Sequence, residues 1–138
     1  MTVDQIERFP CPCCGQQVHE GLHGSSMICP ICRSGDDLVQ LRWPMLRSGA
    51  NNVSLIEAQS NYRRMGASEH RRRGRVLPAS ARELPDDGWR PIYLRIDNFE
   101  DEDSQVTPWP DDRRVLYWWR PMFLATIFVI AQTTLIAS

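Results

Sequence analysis

The sequence predicts a small α+β fold in which a β-hairpin with two cysteine knuckles packs on one amphipathic helix. A C-terminal extension with a hydrophobic tail follows it. Three observations predict this. All five cysteines lie between Cys11 and Cys32, four of them as two Cys-x-x-Cys pairs with 14 residues between them. Ser54-Leu55-Ile56-Glu57 has the form of a capping box and opens a run of apolar residues at helical spacing. Met122 to Ala137 is a stretch of 16 residues without a charge.

The cysteine pairs carry the most chemistry. A Cys-x-x-Cys turn sets its two sulfurs on one side, and a connecting hairpin brings two such turns around one ion, the spacing of a structural zinc site. Pro12 and Pro30 each follow the first cysteine of a pair and pre-set the turn. Gly15 permits the left-handed backbone with which such a knuckle closes. The symmetric ligand set is Cys11, Cys14, Cys29 and Cys32, holding one structural Zn2+ in a zinc-ribbon-like hairpin. Cys13 is the surplus thiol, because neighbouring residues seldom aim both sulfurs at one metal. Its substitution for Cys11 or Cys14 stays open. A disulfide framework prefers an even cysteine count and a secretory signal, and no signal peptide is read at the N-terminus. Thioredoxin-type chemistry wants one Cys-x-x-Cys opening a helix in an α/β pattern. A catalytic zinc keeps an open position and uses histidine or carboxylate ligands. His19 and His23 read as surface residues of the connection.

The 138 residues suffice for one domain or a small domain with an extension. A short cysteine-bounded segment buries too little apolar area to fold alone, which a metal staple remedies. All 16 basic residues are arginine, and the net charge of −1 hides an asymmetry. Residues 1–80 carry 10 Arg against 7 acids, and residues 81–138 carry 6 Arg against 10 acids. The overall balance therefore gives no argument for nucleic acid, and only a local basic patch does.

In chain order, residues 9–77 form the cysteine module, 78–91 a Pro- and charge-rich linker, and 92–138 the extension. Val18 and Met27-Ile28 read as the two hairpin strands, with Gly21, Gly24 and Ser25-Ser26 turning between them. Leu38-Val39-Gln40-Leu41 reads as a short strand ending at Trp43-Pro44. In the helix that Ser54 starts, Leu55, Ala58, Tyr62 and Met65 make an apolar face expected to pack on the hairpin, and Gly66 is the cap. Ser68 opens a further helical turn before Gly74 and Pro78. Ile92, Leu94 and Ile96 alternate like a strand. Val115-Leu116-Tyr117-Trp118-Trp119 reads as a second strand or an interfacial segment.

Several of these motifs in order resemble the bacterial cysteine-rich CPCC family over about residues 9–75. They are Pro10-Cys11-Pro12-Cys13-Cys14-Gly15, Ile28-Cys29-Pro30-Ile31-Cys32, Asp36-Asp37, Val39-Gln40-Leu41, Gly49-Ala50-Asn51-Asn52-Val53-Ser54-Leu55, Glu57-Ala58 and Gly66-Ala67-Ser68-Glu69. The resemblance implies a zinc-ribbon-like module without an established enzyme activity, with some similar proteins in toxin–immunity settings. The chain departs from the family pattern at Arg33-Ser34-Gly35, where aromatic residues are usual, and throughout its C-terminal third.

The tail at 122–137 would be about 24 Å long as a helix, short of the roughly 30 Å of a bilayer core. Arg113, Arg114 and Arg120 flank its start, and Tyr117, Trp118 and Trp119 suit a headgroup belt. Its β-branched residues equally suit a buried element. Both readings, core and membrane anchor, stand at this point.

The function expected is a non-catalytic, cytoplasmic zinc-binding module that meets a protein partner in a regulatory or toxin-immunity role. Asp97, Glu100, Asp101 and Asp103 would be available to a basic surface. The alternative is a nucleic-acid-binding zinc ribbon using Arg63, Arg64, Arg71, Arg72, Arg73 and Arg75. No aromatic residues interleave with these arginines to stack bases, and cations at a helix C-terminus also stabilise the helix itself. An enzyme is not expected, for the sequence shows no nucleophile–base pair, paired carboxylates or phosphate loop. His70, beside three arginines, reads as a surface residue.

Overall fold

A computed structural model of the protein describes residues 8–21, 25–76, 85–97, 99 and 108–120. They form strands β1 (Phe9–Pro10) and β2 (Gln17–His19), helices α1 (Leu38–Arg42) and α2 (Leu55–Met65), and two 3-10 turns, His70–Arg75 and Arg113–Leu116. The class is α+β, with a two-stranded antiparallel sheet in which Phe9 faces His19 and Pro10 faces Gln17.

The pairing corrects the expected hairpin. Val18 lies in a strand, but its sheet partner is β1, whereas Ile28 forms an isolated bridge with Gly35. Each knuckle is thus closed by its own flanks. A turn that reverses the chain within a few residues brings those flanks together at little cost in loop entropy, unlike a pairing between knuckles.

Helix α2 follows its local signals. The Ser54 hydroxyl accepts from Glu57 N–H, the Glu57 carboxylate accepts from Ser54 N–H, and Gly66 caps the end at φ 76°. Leu55 and Ala58 are buried and Tyr62 packs at the edge of the core, but Gln59 rather than Met65 completes the buried face. The segment Leu38–Leu41 is helical, not a strand. The Asp37 carboxylate accepts from Val39 N–H and Gln40 N–H and starts a helical turn there.

Two expected strands in the C-terminal part are also turns. Ile92 is buried, but Tyr93, Leu94 and Ile96 are exposed. The Asp97 carboxylate accepts from Tyr93 N–H at 2.7 Å and bends the chain back on itself. Asp112 likewise accepts from Arg114 N–H and starts the Arg113–Leu116 turn. Tyr117 and Trp118 then enter the core, and Trp119 packs against it. These rings sit in the protein interior, which corrects the interfacial reading.

One core unites these parts: Cys11, Cys13, Cys14, Val18, Cys29, Ile31, Cys32, Leu41, Leu55, Ala58, Ile92, Leu116, Tyr117 and Trp118. The described part of the 92–138 extension therefore shares its core with the cysteine module. The hydrophobic segment 122–137, read as core or anchor, lies outside the described residues. Among the described residues no helix is long and apolar enough to cross a membrane.

Candidate metal centre

The two knuckles are one structure written twice, 18 residues apart. Cys11 N–H donates to Gln16 O at 2.9 Å, and Cys29 N–H to Ser34 O at 2.9 Å. Gly15 N–H donates to Cys11 O at 2.7 Å, and Arg33 N–H to Cys29 O at 2.8 Å. Pro10 faces Gln17 below the first turn, and Ile28 faces Gly35 below the second. Both turns close through a left-handed residue, Gly15 at φ 80° and Arg33 at φ 67°.

This repeat brings Cys11, Cys14, Cys29 and Cys32 together, with all four Sγ atoms within 4.8 Å of one another. Cys11 Sγ lies 3.6 Å from Cys32 Sγ, and Cys14 Sγ lies 3.7 Å from Cys29 Sγ. These separations are close to the edge of a tetrahedron with 2.3 Å metal–sulfur bonds, about 3.8 Å. All four residues are buried, and none forms a disulfide. Burial holds the Cys11 and Cys32 thiols well above the usual range. Hydrogen bonds from Cys11, Cys14 and Cys32 hold Cys29 far below it. As thiolates, four sulfurs in so small a volume would need a cation to balance them, and the donor set fits one soft, tetrahedral ion. Ile31 N–H donates to Cys29 Sγ at 3.4 Å and steadies that ligand from outside. Tyr62, at the rim, has its phenol pushed up to about 12 by burial and by the neighbouring cysteines.

The knuckles differ in what holds them. Around the first, Asp86 N–H donates to Gly15 O at 2.7 Å, and Gln16 bridges Pro85. The Trp89 indole lies on Gly15 so closely that a Cβ there would come within 2.3 Å of it. Gln59 donates to Pro12 O at 2.9 Å and accepts from Ile92 N–H at 3.0 Å. Asp86 in turn is gripped by Arg120 at 2.8 Å, Trp119 Nε1 at 2.6 Å and Gln17 at 3.1 Å. Burial raises the Asp86 carboxyl, but these partners outweigh it and leave the pKa below the ordinary carboxylate value.

Around the second knuckle, Asn51 stands in for a strand. Its amide accepts from Gly35 N–H at 2.8 Å, donates to Gly35 O at 2.9 Å, and donates to Gln40 at 2.7 Å. Gln40 then donates to the carbonyls of Leu46 and Val53. Ser68 N–H donates to Cys32 O at 2.8 Å. Arg72 donates to Arg33 O and, at 2.6 Å, to Ala50 O.

Other residues singled out from the sequence fare differently. Cys13 is buried beside the four-cysteine group and outside it. His19 is not a surface residue: it is buried in β2, and its Nε2 has no partner among the described residues. His23 lies outside the described residues, and His70 is exposed. Asp97 is not available to a partner, because it is buried under a two-armed ion pair with Arg90 at 2.6 and 2.8 Å. Residues 100–103 lie outside the described residues. The arginine cluster divides. Arg63, Arg64 and Arg73 are exposed, whereas Arg71 and Arg72 grip Glu69 and backbone carbonyls. Reasoning from sequence missed Asn51, Gln59 and the Trp89–Gly15 contact. It also missed the left-handed Arg33, which the 18-residue spacing of the two Cys-Pro-x-Cys runs would have exposed by placing it opposite Gly15.

A small α+β protein in which paired knuckles gather four buried cysteines presents a site able to hold a metal ion. The chain belongs to the cysteine-rich CPCC family, which it matches over residues 9–83, just over half its length. No curated protein and no solved structure matches it. The match contains both knuckles, α1, α2 and the His70–Arg75 turn, and it ends before the Pro85–Arg120 residues that hold knuckle 1.

Proposed function

We propose that the protein is a non-catalytic interaction module stapled by one structural zinc ion on Cys11, Cys14, Cys29 and Cys32. The observation that carries this reading is the convergence of four buried sulfurs within 4.8 Å on two equivalent knuckles. An all-thiolate set favours zinc, and four buried protein ligands leave no position for a reacting water. Five free thiols suit a reducing compartment, in keeping with a cytoplasmic protein. A protein partner, in a regulatory or immunity-type role, is supported by Tyr93, Leu94 and Ile96, exposed on one turn that Asp97 holds in shape.

The test is metal content and thermal unfolding of the purified chain, with and without a strong chelator, beside the Cys29→Ser and Cys13→Ser variants. One zinc per chain, lost together with the fold on chelation or in Cys29→Ser but kept in Cys13→Ser, is the expected result. A chain that keeps its transition after complete metal removal would refute the structural role.

A further inference from the structure

We propose that the pocket between knuckle 2 and the His70–Arg75 turn binds a compact polyphosphate anion. The pocket has a volume of about 380 Å³ and is lined by Ile28, Arg33, Arg71, Arg72 and Arg75. Small-molecule sites occupy about 300–1,000 Å³, so it is of ligand size and has room for more than a single phosphate. Four guanidiniums face this space. Glu69 pairs with Arg71 and Arg72, while Arg33 and Arg75 face no carboxylate among the described residues. A local excess of positive charge therefore remains.

Three of the four guanidiniums are already positioned. Arg33 Nε donates to Arg75 O at 3.0 Å, Arg71 donates to Ala50 O at 3.0 Å, and Arg72 donates to the carbonyls of Arg33 and Ala50. Carbonyls orient Arg33, Arg71 and Arg72 without cancelling charge, while the one Glu69 carboxylate offsets only part of the charge of Arg71 and Arg72. These held forks keep N–H groups for an oxyanion, and their rotamer entropy is lost before any ligand arrives, while exposed Arg75 closes on the ligand from the turn. Among the described residues no aromatic ring lines the pocket, so these residues offer nothing for a base to stack on. Recognition falls on the phosphates themselves, which forked guanidiniums bind in pairs of short, charge-assisted hydrogen bonds.

The backbone gives a second, independent observation. Arg33 holds φ 67° at the position where knuckle 1 has Gly15. A left-handed conformation costs a residue with a Cβ about 1 kcal/mol. Glycine would close knuckle 2 without that strain, but it would remove a guanidinium from the pocket wall. Strain kept at one position of a repeat marks that side chain as a functional group. The inference stands on the pocket and holds whichever ion the cysteines bind.

The test is titration calorimetry of the full chain, as purified with its metal, against inorganic pyrophosphate. Arg33→Gly and Arg75→Ala are the pocket variants, and Arg63→Ala, exposed on α2, is the control. Arg33→Gly relieves backbone strain, so its fold survives, which thermal unfolding verifies. Saturable binding of one pyrophosphate per chain is expected, weaker in added salt and about tenfold weaker in each pocket variant, since each removes charged hydrogen bonds. The control should match wild type. Absence of saturable binding, or equal binding by all variants, would overturn the proposal. So would tight binding of a single-stranded oligonucleotide that pyrophosphate fails to displace, which would assign the arginines to nucleic acid instead.

Discussion

The Cys11–Gln16 and Cys29–Ser34 turns share every backbone hydrogen bond that defines a knuckle, yet different parts of the chain hold them in place. Knuckle 2 is tied down by residues 40–75 through Asn51, Gln40, Ser68 and Arg72, all inside the family match. Knuckle 1 leans on Gln59 of α2 and on Asp86, Trp89, Ile92 and the Arg120 ion pair, most of them beyond that match. The difference teaches that the C-terminal segment is a brace for half of the metal site rather than an appendage. It also explains why the same left-handed position is glycine in one knuckle and arginine in the other. Trp89 covers Gly15, while Arg33 reaches across open space to Arg75.

Removing the metal should erase the comparison altogether. With a structural zinc contributing about 10 kcal/mol or more to such small sites, chelation or Cys29→Ser should abolish the cooperative thermal transition. Gly15→Ala should be the most damaging change that leaves the ligands intact. It combines a left-handed penalty with overpacking against Trp89, together about 2–4 kcal/mol. Arg33→Gly, at the equivalent site, should stay within about 1 kcal/mol of wild type, because strain relief offsets the lost hydrogen bond. Equal losses at the two positions in chemical denaturation would dissolve the asymmetry.

Gln59→Leu should cost about 2–3 kcal/mol by stranding Pro12 O and Ile92 N–H in the core. Hydrogen exchange should then quicken around Cys11–Gln16 and leave Cys29–Ser34 protected. Uniform quickening would mean that the knuckles do not open separately.

Asp86→Asn should cost about 2 kcal/mol at neutral pH, and its pH dependence has a definite sign. The folded carboxyl titrates below its unfolded value of about 3.9. Its contribution is therefore present above that pH and lost as the pH falls through the folded pKa. The gap between wild type and variant should close in acid, whatever happens to the metal in both. The smallest effect, about 1 kcal/mol, is expected for Trp119→Phe, which removes the 2.6 Å donation to Asp86 and little packing.

Elements whose causes lie within a few residues were legible in the sequence. The two Cys-x-x-Cys runs read correctly as a cluster, and α2 read correctly from Ser54 and Glu57 at one end to Gly66 at the other. Three misread strands share one cause: a single carboxylate outweighed an apolar pattern. Asp37 turned Leu38–Leu41 into a helix, and Asp97 and Asp112 turned two alternating runs into bends. The exposed reading of His19 failed because its partner strand is Phe9–Pro10, a pairing too short to leave a pattern.

By itself, then, the sequence determined the spacing of the four cysteines, the position and caps of α2, and membership of the CPCC family, because each depends on neighbours along the chain. Only the tertiary structure decided that the knuckles are equivalent, that Asn51 holds one and the Asp86–Trp89–Arg120 group the other, and that Arg33 and Arg75 line one pocket. Those contacts join residues from 16 to 74 positions apart. No local periodicity records them. They follow from burying the aromatic rings and thiols in a single core, which brings together segments far apart along the chain.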